Sequence, residues 1–268
     1  MSKRLKAALA KLGLKRQKMN RPEMAIEFIE TLRPHSAETP LIRIGGDGDG
    51  AYLIPDDLEG LVGCYSPGVA GLSIFEREFA NRGIKCFMAD YSVDGPAEEN
   101  KNFFFEKKFL GASTNDVFMR LENWVKSNSP DAGDLILQMD IEGAEYEVIL
   151  DTPREVLSRF RVIVVEFHGL DMIFSRSTFP YLKQAFEKLL EDFVVVHVHP
   201  NNCSPSVFYK NIEVPPVLEF TFHRKDRFKA AKTPLEFPHR LDVINVASEP
   251  DLVLPPIWYR SYWEEDTK

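Results

Sequence analysis

The strongest constraint on this chain is the run Val162-Ile163-Val164-Val165, which extends with Glu166 and Phe167 into one segment. β-Branched side chains are stiff at χ1 and favour strands. A run without polar alternation fits a strand covered on both faces, as in a parallel sheet. The remaining chain supplies partners for it. Strand-like segments at 61–65, 84–90, 103–110, 135–140, 162–167 and 193–199 alternate with helical periodicity at 72–81, 115–126, 144–150 and 179–190, with Ser113 or Thr114 expected to cap the second helix. That rhythm predicts an α/β fold with a mostly parallel sheet, right-handed crossovers and helices on both faces. Residues 218–223 read as a late strand that no helix follows closely. Upstream, 41–44 and 51–55 flank Gly45-Gly46-Asp47-Gly48-Asp49-Gly50, a hairpin-like turn. Residues 21–32 read as a helix with Pro22 in its first turn.

Three segments follow from this pattern: a helical N-terminal extension (1–40), an α/β domain (41–225) and a proline-bearing tail (226–268) expected to wrap the domain surface. With 44% apolar residues the chain is too hydrophobic for disorder. Charge is unevenly placed. The first 22 residues carry eight basic side chains and no acid, so the formal net charge of −8 leaves −16 on the rest. An acidic body repels phosphates, which argues against nucleic acid as a partner. Leu5, Ala8, Leu9 and Leu12 make 2–18 a basic amphipathic helix, expected to be solvated, with peripheral contact to an anionic membrane as the alternative. Cys64, Cys86 and Cys203 are too few and scattered for a disulfide framework, which suits a reducing, cytoplasmic setting. No stretch reaches the ~18 apolar residues of a membrane span.

Ligands of open parallel sheets bind beyond the carboxyl ends of the strands, so the loops there bear the functional reading. The strand at 61–65 runs into Ser66-Pro67-Gly68-Val69-Ala70-Gly71, a glycine turn before a helix that lets backbone approach an anionic or polar ligand. Asp90 closes the next strand 22 residues after Gly68, placed to accept hydrogen bonds from ribose hydroxyls. Turn and acid together favour an adenosine-bearing cofactor. The strand at 135–140 delivers Asp140-Ile141-Glu142-Gly143-Ala144-Glu145, an acid, a glycine and a second acid at a helix start. With that segment the sequence resembles the FkbM-type methyltransferase family, whose hallmark is a strand ending in this pattern. Asp49-Gly50-Ala51-Tyr52, the stretch 66–71 with Phe75-Glu76, Glu166-Phe167-His168 and the stretch 197–202 extend the resemblance over roughly 43–225.

The resemblance implies a class I methyltransferase sheet, Rossmann-like, in which the late strand inserts antiparallel, and S-adenosylmethionine as cofactor. It implies a donor lying over Gly68, Val69 and Gly71, with ribose at Asp90 beside Tyr91, adenine under the loop carrying Ser113, and the methionine end near Asp140. Ser66 and Pro67 stand where many methyltransferases carry an acid, so Asp140 or Asp49 is expected to take over that contact. For the acceptor, the resemblance points to a hydroxyl of a sugar, glycan or related polyol. An alcohol gains from a base as the new bond forms; His168 is the first candidate, followed by Glu166, Glu142 and His199. Glu166 and His168, two apart at a strand end, share a face, as do His197 and His199. Asp140, Glu166, His197 and His199 form a candidate set for a divalent ion such as Mg2+, as in catechol-type methyltransferases, which use acids at comparable strand ends. The same groups also fit hydrogen bonding to a polyol, and each also fits an ordinary capping or pairing role. Asp47-Gly48-Asp49-Gly50 is not a calcium loop, because Leu58 stands at the twelfth position. Two alternatives remain at this level: an NAD(P)-dependent oxidoreductase using the same turn and Asp90, and a non-catalytic domain of the same fold.

Overall fold

A computed structural model describes residues 18–69 and 71–261. The basic helix expected over 2–18 lies outside the described residues except for Lys18. Helix α1 (Pro22–Thr31) begins with proline at its first position, where a missing N–H costs nothing. Strands β1 (Leu41–Ile44) and β2 (Tyr52–Pro55) form the expected antiparallel hairpin. Then follow β3 (Leu61–Pro67), α2 (Ile74–Asn81), β4 (Cys86–Ala89) and β5 (Phe103–Glu106). Two short strands, β6 (Phe109–Leu110) and β7 (Phe118–Met119), pair with each other before α3 (Leu121–Asn128). The second half contains β8 (Asp134–Met139), α4 (Glu145–Asp151), α5 (Arg154–Leu157), β9 (Phe160–His168), α6 (Phe179–Asp192) and β10 (Phe193–Pro200). A small hairpin of β11 (Val207–Tyr209) and β12 (Ile212–Val214) leads into β13 (Val217–Arg224).

The seven-stranded sheet has the order β10-β13-β9-β8-β3-β4-β5, with β13 antiparallel to both neighbours. The other pairings in that sheet are parallel. The late strand is therefore inserted between β9 and β10. This is the class I methyltransferase arrangement.

The segment that constrains the sequence most is the middle of β9, and its residues divide between two cores. Val162 and Val164 point to one face with Cys64, Met88 and Ile136, beneath α2 and the β1–β2 hairpin. Ile163 and Val165 point to the other, beneath α1, α3, α4 and α6. Both faces are covered, as a run without polar alternation requires.

Two expected elements differ. The strand expected over 103–110 splits into β5 and β6, because the chain turns at Lys108, whose N–H donates to Glu106 O (2.8 Å). The helix expected over 115–126 starts only at Leu121, with Arg120 rather than Ser113 or Thr114 at the cap. Asn115 Oδ1 accepts from the backbone N–H groups of Val117 and Phe118 (both 2.8 Å). That local turn competes with the helix.

Among the described residues, no helix is long and apolar enough to cross a membrane. The tail makes contacts with β10 and β13. Its Trp258 is fully buried and meets Phe220 of β13 edge-on at 6.1 Å. We predict that Trp258→Ala lowers unfolding free energy by about 3–5 kcal/mol, the usual loss for a buried aromatic. Denaturant titration checks this, and a loss under about 1 kcal/mol would show the tail is not part of the core.

Candidate active site

Strand register gathers the polar groups of β8, β9, β13 and β10 on the hairpin-covered face. Glu219 of β13 stands opposite Glu166 of β9 on one side and His199 of β10 on the other. Gln138 of β8 stands opposite Val164, so Asp140, two residues on, continues the same row. The carboxyl edge thus carries a line of polar groups where the opposite face carries Phe167 and Phe220.

A cleft of about 200 Å³ opens at this edge, between the β3–α2 turn, the Gly45–Gly50 loop and Asp140. Gly68, Val69, Gly71, Asp49 and Asp140, five of the residues assigned to donor contacts from the sequence, line it. Gly68 is required by packing: at φ +87°, an added Cβ would lie 1.6 Å from the Asp140 carbonyl oxygen. The loop over the cleft is pinned by Arg43, whose guanidinium donates to Gly46 O (2.7 Å) and Gly48 O (3.1 Å).

Three groups in this wall are given no role of their own by the sequence, although Tyr52 and Glu76 fall within the stretches that carry the resemblance. Glu76 of α2 is buried and reaches back to the Ser66 hydroxyl, which also lies 2.6 Å from Gln138 Oε1. A carboxyl therefore does stand beside the end of β3, delivered by the helix; burial pushes its pKa up. Gln138 Nε2 donates to the Tyr52 hydroxyl (3.2 Å). Burial raises Tyr52 far above the ordinary phenol value, and the charges of Glu166, Asp140 and Glu219 add to this.

Asp90, Tyr91 and Ser113 lie outside the cleft walls. Asp90 is buried, and its Oδ1 accepts from Ser92 N–H and Oγ (both 2.7 Å). Tyr91 is exposed and rests 5.5 Å from the Phe109 ring, and Ser113 is exposed on its turn.

His168 is the centre of the second half of the site. Its Nδ1 lies 3.1 Å from Glu145 Oε1, an oxygen that also accepts from the backbone N–H groups of Ile141 (3.2 Å) and Gly143 (3.0 Å). Its Nε2 faces Glu142 Oε2 at 3.5 Å, Glu166 Oε1 at 3.7 Å and Asp140 Oδ1 at 4.0 Å. Burial alone would lower this imidazole's pKa; the Glu145 hydrogen bond and the surrounding carboxylates outweigh it and raise it. Burial pushes Asp140 up to about 7; Glu142, Glu145 and Asp49 add to the rise, and His168 opposes it. Glu166 is raised by burial, then by Asp140 and Glu219, although Asn201 Nδ2 donates to it at 3.1 Å.

His197 and His199 correct the expected metal set. They do not join Asp140 and Glu166, because β13 separates β10 from β9. They converge instead on Asp242 of the tail: His197 Nε2 lies 2.9 Å and His199 Nδ1 3.7 Å from Asp242 Oδ1. Asn245 completes this tail clamp, accepting from His199 Nε2 (3.1 Å) and donating to Glu219 (2.6 Å) and Asp49 (3.3 Å). His199 is therefore removed from the acceptor side, and the clamp holds the Asp49 loop.

The clamp makes a pH-dependent contribution to stability. Burial opposes the charged form of His199, but the Asp242 hydrogen bond and the charges of Glu219 and Asp242 raise its pKa. A raised imidazole pKa stabilises fully below the unfolded value of about 6.5 and loses that contribution as pH climbs through the folded value. We predict that Asp242→Asn costs about 3 kcal/mol at the acid end of this window, as for a broken buried pair. The gap to the parent protein should shrink as pH rises past the folded value. A gap independent of pH in denaturant titrations would contradict the His199 assignment.

The sheet order and the acid-lined carboxyl edge define a class I methyltransferase fold with a cleft at the expected end. Residues 115–193 match the family model described as the methyltransferase FkbM domain, which spans α3 to α6 and includes both Asp140–Glu145 and Glu166–His168. Among solved structures, the chain is similar to the fibrillarin/Nop5p complex, at 13% identity and TM-score 0.36 over 60% of this chain and 71% of that chain. It is also similar to a Pyrococcus horikoshii protein described as a putative RNA methyltransferase, at 14% identity and TM-score 0.31 over 77% of this chain and 99% of that one. No curated protein matches the chain significantly. The family match and the sheet topology support a methyltransferase.

Proposed function

We propose that this protein is an S-adenosylmethionine-dependent O-methyltransferase whose acceptor is a hydroxyl of a sugar, glycan or related polyol. The observation that carries the proposal is the Glu145–His168 pair, which turns Nε2 toward Glu166 and toward Asp140, a residue that lines the glycine-walled cleft. The residues fit the donor. Gly71 has open space where a Cβ would stand, and buried oxygens of Asp140, Glu145 and Glu166 have no hydrogen-bond partner within the protein. When bound, the donor supplies a methyl group on a sulfonium centre, ready for in-line displacement.

The chain's own contribution is alignment and proton management. Asp49, Asp140 and Glu76 offer carboxyl groups for the amino end of the methionine moiety. Asp90 is the candidate for the ribose hydroxyls, with Tyr91 and Ser113 flanking the adenosine side. On the acceptor side, the hydroxyl lies against the Nε2 face of His168. As the C–O bond forms and the S–C bond breaks, the hydroxyl proton passes to the His168–Glu166 group. Holding oxygen, methyl carbon and sulfur in line is the larger contribution, because displacement at a sulfonium needs little further activation. The proposal sets the reaction in the cytoplasm, consistent with three free cysteines.

Isothermal titration of S-adenosylhomocysteine into the full chain tests the donor assignment. We expect one binding site, weakened by about 1–3 kcal/mol in Asp90→Ala through lost hydrogen bonds. Binding of NAD in its place would favour the oxidoreductase, and no binding of either a non-catalytic domain. His168→Ala should cut turnover about 10²–10⁴-fold at unchanged S-adenosylhomocysteine affinity. Full turnover in that variant would remove His168 from the mechanism.

A further inference from the structure

The face that His168 presents is unbalanced. Glu145 Oε1 accepts two backbone N–H groups and lies 3.1 Å from His168 Nδ1, which turns the Nε2 edge of the ring toward the carboxylates of Glu142 and Asp140. A carboxylate on the far ring nitrogen is the arrangement that prepares imidazole ligands of metal ions.

Three further observations point the same way. Asp140 Oδ1, one of the oxygens facing Nε2, is buried without a hydrogen-bond partner, and so is Oε2 of the buried Glu166 behind it. Among the described residues no Lys or Arg pairs with Asp140, Glu142, Glu145 or Glu166. Glu142 adopts φ 56°, the left-handed region that non-glycine residues rarely occupy. Its side chain is 87% exposed, yet its carboxylate is held 3.5 Å from the ring. Strain of this kind collects at ligand clamps.

We propose that Asp140, Glu142 and His168 ligate a hard divalent cation of the Mg2+ or Mn2+ class. Their ligand atoms all lie within 4.8 Å of one another. Two carboxylates and one imidazole are an oxygen-dominated set, which favours these ions over the soft, thiolate-seeking metals. This set replaces the one expected from sequence, sharing only Asp140 with it. The catalytic consequence rests on the methyltransferase reading: the ion would orient the acceptor oxygen and acidify its hydroxyl. With the ion bound, Nε2 would serve as a ligand, and within the His168–Glu166 group Glu166 would receive the proton. Binding of the ion does not depend on that reading.

The test uses the full chain stripped with EDTA and titrated with MnCl2 in the absence of donor, with free Mn2+ followed by electron paramagnetic resonance. We expect one saturable site. Asp140→Asn and Glu142→Gln should each weaken it about tenfold or more, the scale set by disturbing ligands and their supports. Glu142 is exposed, so Glu142→Gln should melt at the parent temperature and separates lost binding from lost folding. His197→Gln should bind Mn2+ as the parent does. No saturable binding up to millimolar Mn2+, binding indifferent to both carboxylate variants, or binding lost in His197→Gln would each overturn the assignment. S-adenosylhomocysteine titrated into the same EDTA-treated protein reports on the donor site separately, so that failure of the ion site and failure of the methyltransferase reading can be told apart.

Discussion

Burying carboxylates is the constraint that organises this molecule. Asp140, Glu166 and Glu219 occupy neighbouring positions along one edge of the sheet, beneath the β1–β2 hairpin, where solvation is lost and like charges meet. A charge withdrawn from water costs several kcal/mol unless partners restore what solvent gave. The chain supplies those partners unequally. Glu219 receives Asn245 and His199, while Glu166 receives Asn201 and Asp140 only the distant edge of His168. The deficit is thus concentrated on the side of the row that borders the cleft. Polar groups left short of partners in a folded core are retained where a ligand completes them, and this is the physical basis for locating function at Asp140 and His168.

The tail explains how the other side of the row is satisfied. Asp242 and Asn245 sit on a segment with almost no regular structure, yet they hold His197, His199, Glu219 and Asp49. Because Asp49 belongs to the loop that overhangs the cleft, the tail and the donor side of the site are mechanically joined. Trp258 anchors the same segment in the core against β13. The tail therefore braces the Asp49 loop from behind, and the cleft owes its shape to residues far apart in sequence.

Features set by a few consecutive residues are legible in the sequence itself. The Val162–Val165 run demands two covered faces, and both cores bear that out. The late strand and the acid-bearing end of β8 are readable for the same reason, since each depends on a short contiguous stretch. Longer-range geometry is not. His197 and His199 share a strand face as periodicity requires, but the inserted β13 sets β10 two strands from β9, about 10 Å away at normal strand spacing, and no pattern within either segment encodes that separation. Asp242 lies 45 residues from His197 in a stretch without periodicity, so nothing local marks it as a partner. The later start of α3 has another cause: Asn115 commits its side chain to a turn, a choice that helix periodicity alone does not register. Glu76 is visible only as part of a resemblance, because its role depends on a helix bending its carboxyl back to β3.

The carboxyl edge between Gly68 and His168 is taken to hold an adenosyl donor with its sulfur turned toward the imidazole, and the functional reading stands or falls on that placement. A crystal structure of the full chain with S-adenosylhomocysteine tests it most directly. The expected result is the thioether sulfur over Asp140, facing the Nε2 side of His168, with the ribose at Asp90. Density for the ligand elsewhere on the chain, or with its sulfur directed away from His168, would contradict it.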